Sequence, residues 1–331
     1  MNHYLLIQIN LTIADPENLN DLFRNLDPDL NYFNHENVNN SESLTVDEYN
    51  SFCRLNLDFL KICSQNIRSF NRNFSDFLNC FDDVFPDVLV ITETWFDEFN
   101  IQNTQNYNSF HTIRTVNRSG GISIFVKSSF LCQKIDHLSF ANQTIEICTV
   151  KIQIGSLNFF ILGIYRPHSD SIENFIIALN EILDSNFFRN STCVIIGDMN
   201  INLFLQNSPV NEYLNLMHSF HFIPLITKPT CFPVSSESPS LLDHIWVNKI
   251  SNFNNGIIST NITDHSSIYI HIPIKISDIN SVYRKIAFRL IDDNSKQNFN
   301  NIISNFDWNS LISNDLNLFT ENLISKLNFF Y

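Results

Sequence analysis

The 331 residues suffice for one large α/β domain with extensions or for two modest domains, and an ordinary apolar content allows a full-sized core. A net charge of −14 argues against tight, purely electrostatic binding to nucleic acid, and no stretch is apolar for long enough to span a membrane. The seven cysteines are odd in number and contain no C-x-x-C pair, which excludes a disulfide scaffold and predicts buried free thiols in a reducing, intracellular setting.

The charge is unevenly spread. Residues 1–60 hold ten acids and two bases, a net of −8, while residues 61–275 hold eighteen acids and thirteen bases, a net of −5. Residues 1–56, rich in Asn, Asp, Glu and Ser from residue 15 onward, read as a largely disordered acidic leader. Order is expected from Leu57. Leu57–Ser64 is a strand. Phe70, Phe74, Phe77, Leu78, Phe81 and Phe85 recur at helical spacing, which predicts an amphipathic helix over Ser69–Phe85 that Pro86 stops. Val88–Thr92 is a second buried strand, so the domain begins β-α-β, a pattern that favours parallel pairing.

Gly120-Gly121 precedes a strand at Ile122–Lys127. Ile145–Ile154 and Leu157–Tyr165 form a hairpin around Gly155-Ser156. Ile172–Leu183 is helical, Thr192–Ile196 a strand, and Val210–His221 a helix ending near Pro224. Leu241–Asn248 and Ser266–Ile274 complete the strands. This mixture predicts an α/β fold with two mixed β-sheets packed face to face and helices outside. The tail, residues 277–331, reads as a helical linker.

Five apolar strands end in polar residues, in segments that carry Asn66, Glu93, Tyr165-Arg166, Asp198 with Asn200, and Asp243. A sixth polar group, Asp264-His265, immediately precedes a strand. Strand ends are where α/β proteins aim side chains into a crevice. Glu93 is a candidate direct ligand of Mg²⁺, which prefers one or two carboxylates plus water and phosphate oxygens; Asn66 could assist through its carbonyl. Taken alone, each is as well explained as a solvated acid or a turn asparagine. Asp198 and Asn200 share a side if the strand persists, one to orient or deprotonate water and the other to donate to phosphate. His265 can donate to a phosphate oxygen, with Asp243 accepting its other N–H. Tyr165 offers a phenol. His244 falls on the opposite face and reads as structural. With several of these acids around a divalent cation, the region approaches neutrality, which predicts weak, divalent-dependent DNA binding.

In this order the segments resemble the endonuclease/exonuclease/phosphatase superfamily. Asn66-Ile67-Arg68-Ser69, Gly120-Gly121-Ile122-Ser123-Ile124-Phe125-Val126, Ile164-Tyr165-Arg166-Pro167 and Lys228-Pro229-Thr230 with Ser240-Leu241-Leu242-Asp243-His244-Ile245 are similar to the apurinic-like endonuclease domain of non-LTR retrotransposons. The likeness covers residues 57–276. It implies a four-layer αββα sandwich and a Mg²⁺-dependent nick in double-stranded DNA that leaves a 3′-hydroxyl, with Mn²⁺ able to substitute. It also implies a monomer acting without a membrane, in the nucleus when on DNA and otherwise in the cytoplasm. Element RNA and reverse transcriptase would be partners through a parent polyprotein, of which this chain would be a truncated copy. By position, Asn66, Glu93 and Asp264 would serve the metal, Tyr165 and Asn200 the scissile phosphate, and Asp198 the water. Asp243 would orient His265, while Arg166 and Thr230 would meet DNA. Arg68 stands where repair-type members carry an aspartate, which disfavours abasic-site repair. A phosphomonoesterase of the same fold and an inactive remnant are the alternatives.

Overall fold

The apolar runs become strands because burial on both faces leaves them no other use. Val88–Thr92 (β3) is buried at every position, and Phe59–Asn66 (β2) at all but its first. The computed structural model describes residues 41–274 apart from 82–83, 115–118, 156, 186–187, 189–190, 234–237 and 251; the expected tail and residues 1–40 of the leader lie outside these. The first sheet also contains Glu42–Thr45 (β1), Tyr107–Thr112 (β4), Ile122–Lys127 (β5), Asn254–Ser259 (β13) and Ser267–Pro273 (β14). Its order is β1-β13-β14-β2-β3-β5-β4, and β2 runs parallel to β3 as the β-α-β reading requires. The second sheet contains Leu131–Lys134 (β6), Phe140–Ala141 (β7), Glu146–Ile154 (β8), Leu157–Tyr165 (β9), Thr192–Asp198 (β10), Ile223–Pro224 (β11) and Asp243–Val247 (β12). Its order is β11-β12-β10-β9-β8-β6, with β7 also on β8; β9 and β10 are parallel and its other pairs antiparallel.

The inner faces of the two sheets share one core, in which Leu60, Ile62, Val88, Val90, Ile122 and Ile124 meet Cys148, Val150, Ile152, Ile161, Val194 and Ile196. At Gly163 an added Cβ would lie 2.9 Å from Val90 Cγ1 and 3.1 Å from Ile122 Cγ2, so the sheets approach closely there. Helices cover the outer faces. Val46–Leu55 (α1) and Phe70–Asn79 (α2) bury Tyr49, Cys53, Phe70, Phe74 and Phe77 with Cys63, Leu89 and Ile91 of the first sheet. Ile172–Leu183 (α3) and Ser208–Ser219 (α4) bury Phe175, Leu179, Tyr213 and Met217 with the second. The architecture is the expected αββα sandwich.

Two expectations are corrected. Order does not begin at Leu57: residues 42–55 form β1 and α1. Thr45 caps α1 in a reciprocal box with Glu48, and β1 pairs in parallel with β13. The few apolar residues of this stretch suffice because Tyr49 and Cys53 stand one helical turn apart and both are fully buried. The helix expected over Ser69–Phe85 stops at Asn79, although Phe81 stays buried beyond it.

The strand expected to end at Ile196 continues through Gly197 to Asp198. Gly197 has a φ of 145°, and a Cβ there would lie 2.1 Å from the Ile164 carbonyl oxygen on β9. Gly197→Ala should therefore cost more than about 2 kcal/mol and carry Asp198 out of line. Its denaturant midpoint and activity, measured side by side with wild type, check this; an unchanged midpoint would show that β9 and β10 part easily.

Candidate active site

Strand register assembles one wall of the site. Asp198 ends β10 and pairs with Tyr165 of β9 on one side and with Asp243 of β12 on the other. Residues paired across strands share a face, so these three side chains form a row on the inner face of the second sheet. The opposing wall is the ends of β2 and β3. Asn66 closes β2, and Glu93 follows β3 in a left-handed conformation, φ 53°.

The walls are joined by hydrogen bonds. The Asn66 amide donates from Nδ2 to Glu93 Oε1 at 2.7 Å and to Asp198 Oδ2 at 2.8 Å, across 132 positions of sequence in the second case. The Tyr165 hydroxyl donates to Glu93 Oε1 at 3.3 Å. The Asn200 backbone N–H donates to Asp198 Oδ1 at 2.9 Å. His265 comes in from the turn before β14, and its Nδ1 stands 2.8 Å from Asp243 Oδ2 with both side chains almost fully buried. Gln65, which sequence reasoning passed over, fastens that turn: its Nε2 donates to the Asn66 and His265 carbonyls and to Thr263 Oγ1, while its Oε1 accepts from Thr260 and Ser267.

The electrostatics divide the groups by task. Burial, then the neighbouring Asp243 carboxylate, push Asp198 up to about 7. Burial opposes charge on His265, but the Asp243 carboxylate overrides it and raises the imidazole to about 12. His265 is thus an imidazolium at neutral pH, with Nδ1–H fixed on Asp243. Burial, then Glu93 and Asp198, raise Tyr165 well above the usual phenol range, so it remains a donor. His244 faces away, bonded to the Ile201 carbonyl and to Tyr213, and burial lowers it to about 4.

Other expected residues lie elsewhere or point differently. Asn200 is not on a continuing strand: its φ is 49°, and its side-chain Nδ2 donates to the Arg166 carbonyl at 2.7 Å, leaving one N–H for a substrate. Arg166 was expected at DNA but is only 5% exposed. Its guanidinium donates to the carbonyls of Met199, Asn200 and Asp170, clamping the loop after β10 to the end of β9. Thr230 is fully buried, and its Oγ1 accepts the N–H groups of Leu242 and Asp243, so it holds Asp243 rather than DNA. Asp264 is ion-paired through Oδ2 with Arg68 Nη2 at 2.9 Å.

Asp198, Asp243 and His265 bring ligand-type atoms within 4.8 Å of one another. A protonated imidazole has no lone pair to give, however, so in that form His265 can donate a hydrogen bond but cannot ligate a metal. The donor set for a hard divalent cation is carboxylate oxygen. Glu93 is half-buried with Oε2 unbonded among the described residues, Asp264 Oδ1 is buried without a hydrogen-bond partner, and Asp198 is desolvated. These fit Mg²⁺. Asn66 fits less well as placed: it turns its NH₂, not its carbonyl, toward the carboxylates, and its Oδ1 accepts the Arg68 N–H at 3.2 Å.

Solved structures with the same fold include the endonuclease domain of TRAS1, a telomere-specific non-LTR retrotransposon, at 12% identity and a TM-score of 0.52, covering 65% of this chain and 99% of that one. The Xenopus laevis APE2 catalytic domain matches at 17% identity and 0.50, over 70% of this chain and all of that one. An AP endonuclease from Archaeoglobus fulgidus matches at 14% and 0.51, over 65% and 100%. No curated protein sequence matches the chain. The model of the endonuclease/exonuclease/phosphatase family matches residues 63–265, a span that runs from β2 to His265 and takes in every residue of the site just described; the chain belongs to that family.

Proposed function

We propose that this protein is a Mg²⁺-dependent endonuclease that nicks double-stranded DNA and leaves a 3′-hydroxyl, in the setting of a non-LTR retrotransposon. The observation that carries this reading is the juxtaposition of a buried acceptor, Asp198, with a cationic donor, His265, which Asp243 holds beside it from the opposing sheet. Glu93 and Asp264 would hold the divalent cation, which when bound would supply Lewis-acid polarisation of the phosphate and a more acidic attacking water. Asp198 takes the proton of that water, its two oxygens held in place by Asn66 and the Asn200 N–H. The water oxygen attacks phosphorus, the bond from phosphorus to O3′ breaks, and O3′ leaves as the hydroxyl after taking up a proton from solvent water. The His265 Nε2–H and the Tyr165 hydroxyl donate to non-bridging oxygens as their charge grows. Asp243 keeps the imidazolium in orientation.

The retroelement setting rests on the motif resemblance and on the TRAS1 domain's fold. Chromosomal DNA as target places the action in the nucleus, and element RNA and reverse transcriptase would be met through a longer polyprotein. The test is supercoiled plasmid with Mg²⁺ or Mn²⁺, with and without EDTA. Nicked circles that a polymerase can extend, absent with EDTA, are expected. Phosphate release from small phosphoesters without nicking would overturn the reading in favour of a phosphomonoesterase.

A further inference from the structure

The row of paired strand ends has a fourth member that the mechanism does not use. Glu146 opens β8 and pairs with Tyr165, so Glu146, Tyr165, Asp198 and Asp243 lie side by side across β8, β9, β10 and β12. Glu146 is fully buried, which an acid tolerates only when it is engaged. Its Oε2 accepts the Gly121 N–H at 2.5 Å. Its Oε1 faces the buried Arg114 guanidinium at 3.4 Å and has no hydrogen-bond partner. Gly120 and Gly121 have φ of 110° and 86°, and a Cβ on Gly120 would lie 2.6 Å from Glu146 Oε1. The glycine pair is shaped around this carboxylate.

The same two residues hold the turn that presents Glu93. The Gly121 carbonyl accepts the Thr94 N–H at 3.3 Å, and the Gly120 carbonyl accepts the Trp95 N–H at 2.9 Å. On the other side, the Glu93 and Thr94 carbonyls accept the N–H groups of Ser69 and Phe70. Glu93 and Trp95 are both left-handed, at φ 53° and 57°, a conformation that non-glycine residues keep only when their surroundings impose it. We infer that Glu146 is a positioning residue for the metal-binding wall of the site: by fixing Gly120-Gly121 it holds the strained turn that aims the Glu93 carboxylate at Asn66 and Tyr165. The effect on catalysis rests on the endonuclease reading, but the effect on cation binding does not.

The experiment compares Glu146→Ala, Glu146→Gln and Glu146→Asp in the full chain. Calorimetric titration with Mn²⁺ alone should show roughly tenfold weaker binding for E146A, and amide exchange at Gly121, Thr94 and Trp95 should speed up. E146Q, whose amide oxygen still accepts the Gly121 N–H, should stay within about threefold of wild type in Mn²⁺ affinity even where its melting temperature drops because Arg114 loses its counter-charge. E146D keeps the charge but withdraws it by one methylene, and should behave like E146A; it serves as the test if E146A does not fold. In nicking assays E146A should lose about thirtyfold in kcat with little change in KM. Wild-type Mn²⁺ affinity in a folded E146A or E146D, or equal impairment of E146A and E146Q, would overturn the inference. A wild type that binds Mn²⁺ and responds in this way without nicking DNA would sink the endonuclease reading and leave this one standing.

Discussion

Asp198→Asn should reduce nicking by roughly a hundred- to a thousandfold, because the variant lacks the base that takes the proton of the attacking water. The same change should stabilise the metal-free protein above neutral pH. In the folded state burial and Asp243 hold the Asp198 pKa at about 7, against 3.8 for an ordinary aspartate. Between those values the folded protein keeps a proton that the unfolded chain has released, so stability falls as pH rises through the window, and above 7 a buried carboxylate carries its full charge. Asparagine does not titrate, and its carbonyl can still accept from Asn66. Melts in EDTA from pH 5 to 9 should therefore show wild type losing ground to the variant as pH rises. A gap that does not depend on pH would show that Asp198 is not strained by its charge. In activity, the wild-type rate should rise with pH as Asp198 ionises, and a bound divalent cation should move that rise to lower pH.

His265→Ala should lose at least about a hundredfold in activity and roughly 3–5 kcal/mol in stability. The second loss follows from the partner left behind: Asp243 is 2% exposed, and its Oδ2 would face no cation. Adding Asp243→Asn to this variant should recover part of the stability and none of the activity, which separates the two roles. The His265 pKa is raised from 6.5 to about 12, so its contribution to stability is complete below 6.5 and is lost only as pH climbs toward 12. Activity should accordingly show no alkaline decline from His265 through pH 9. A decline centred near 7 that vanishes in a His265→Gln variant of measurable activity would mean the imidazole is neutral in the working enzyme.

Much of the fold was legible because most of the strands that carry the site are buried on both faces. β3, β5, β9 and β10 read as continuous apolar runs, and α2, α3 and α4 repeat apolar residues at helical spacing. Among the elements that escaped notice are β1, β4, β6 and β13, whose sequences mix polar and apolar residues and which lie at or beside sheet edges. Their burial depends on neighbours that local pattern does not reveal. Glu146 could have been found: counting back from the Gly155-Ser156 turn places it opposite Tyr165, and an acid on an inward-facing position of a strand has few uses except a structural or functional one.

Arg166 and Thr230 show the opposite limit. Both stand inside motifs that resemble the family's, and the resemblance by position places both at DNA. Carbonyls of residues 170, 199 and 200 take the guanidinium, and backbone N–H groups of Leu242 and Asp243 take the hydroxyl. The sequence by itself determined which chemical groups end the strands and in what order. Only the tertiary structure decided which of them face one another. Strand register sets Tyr165, Asp198 and Asp243 in a row, and the stacking of two sheets brings Asn66 within 2.8 Å of Asp198. Facing is a property of pairs far apart in the chain, fixed by hydrogen-bond register and core packing, and no window of residues contains it.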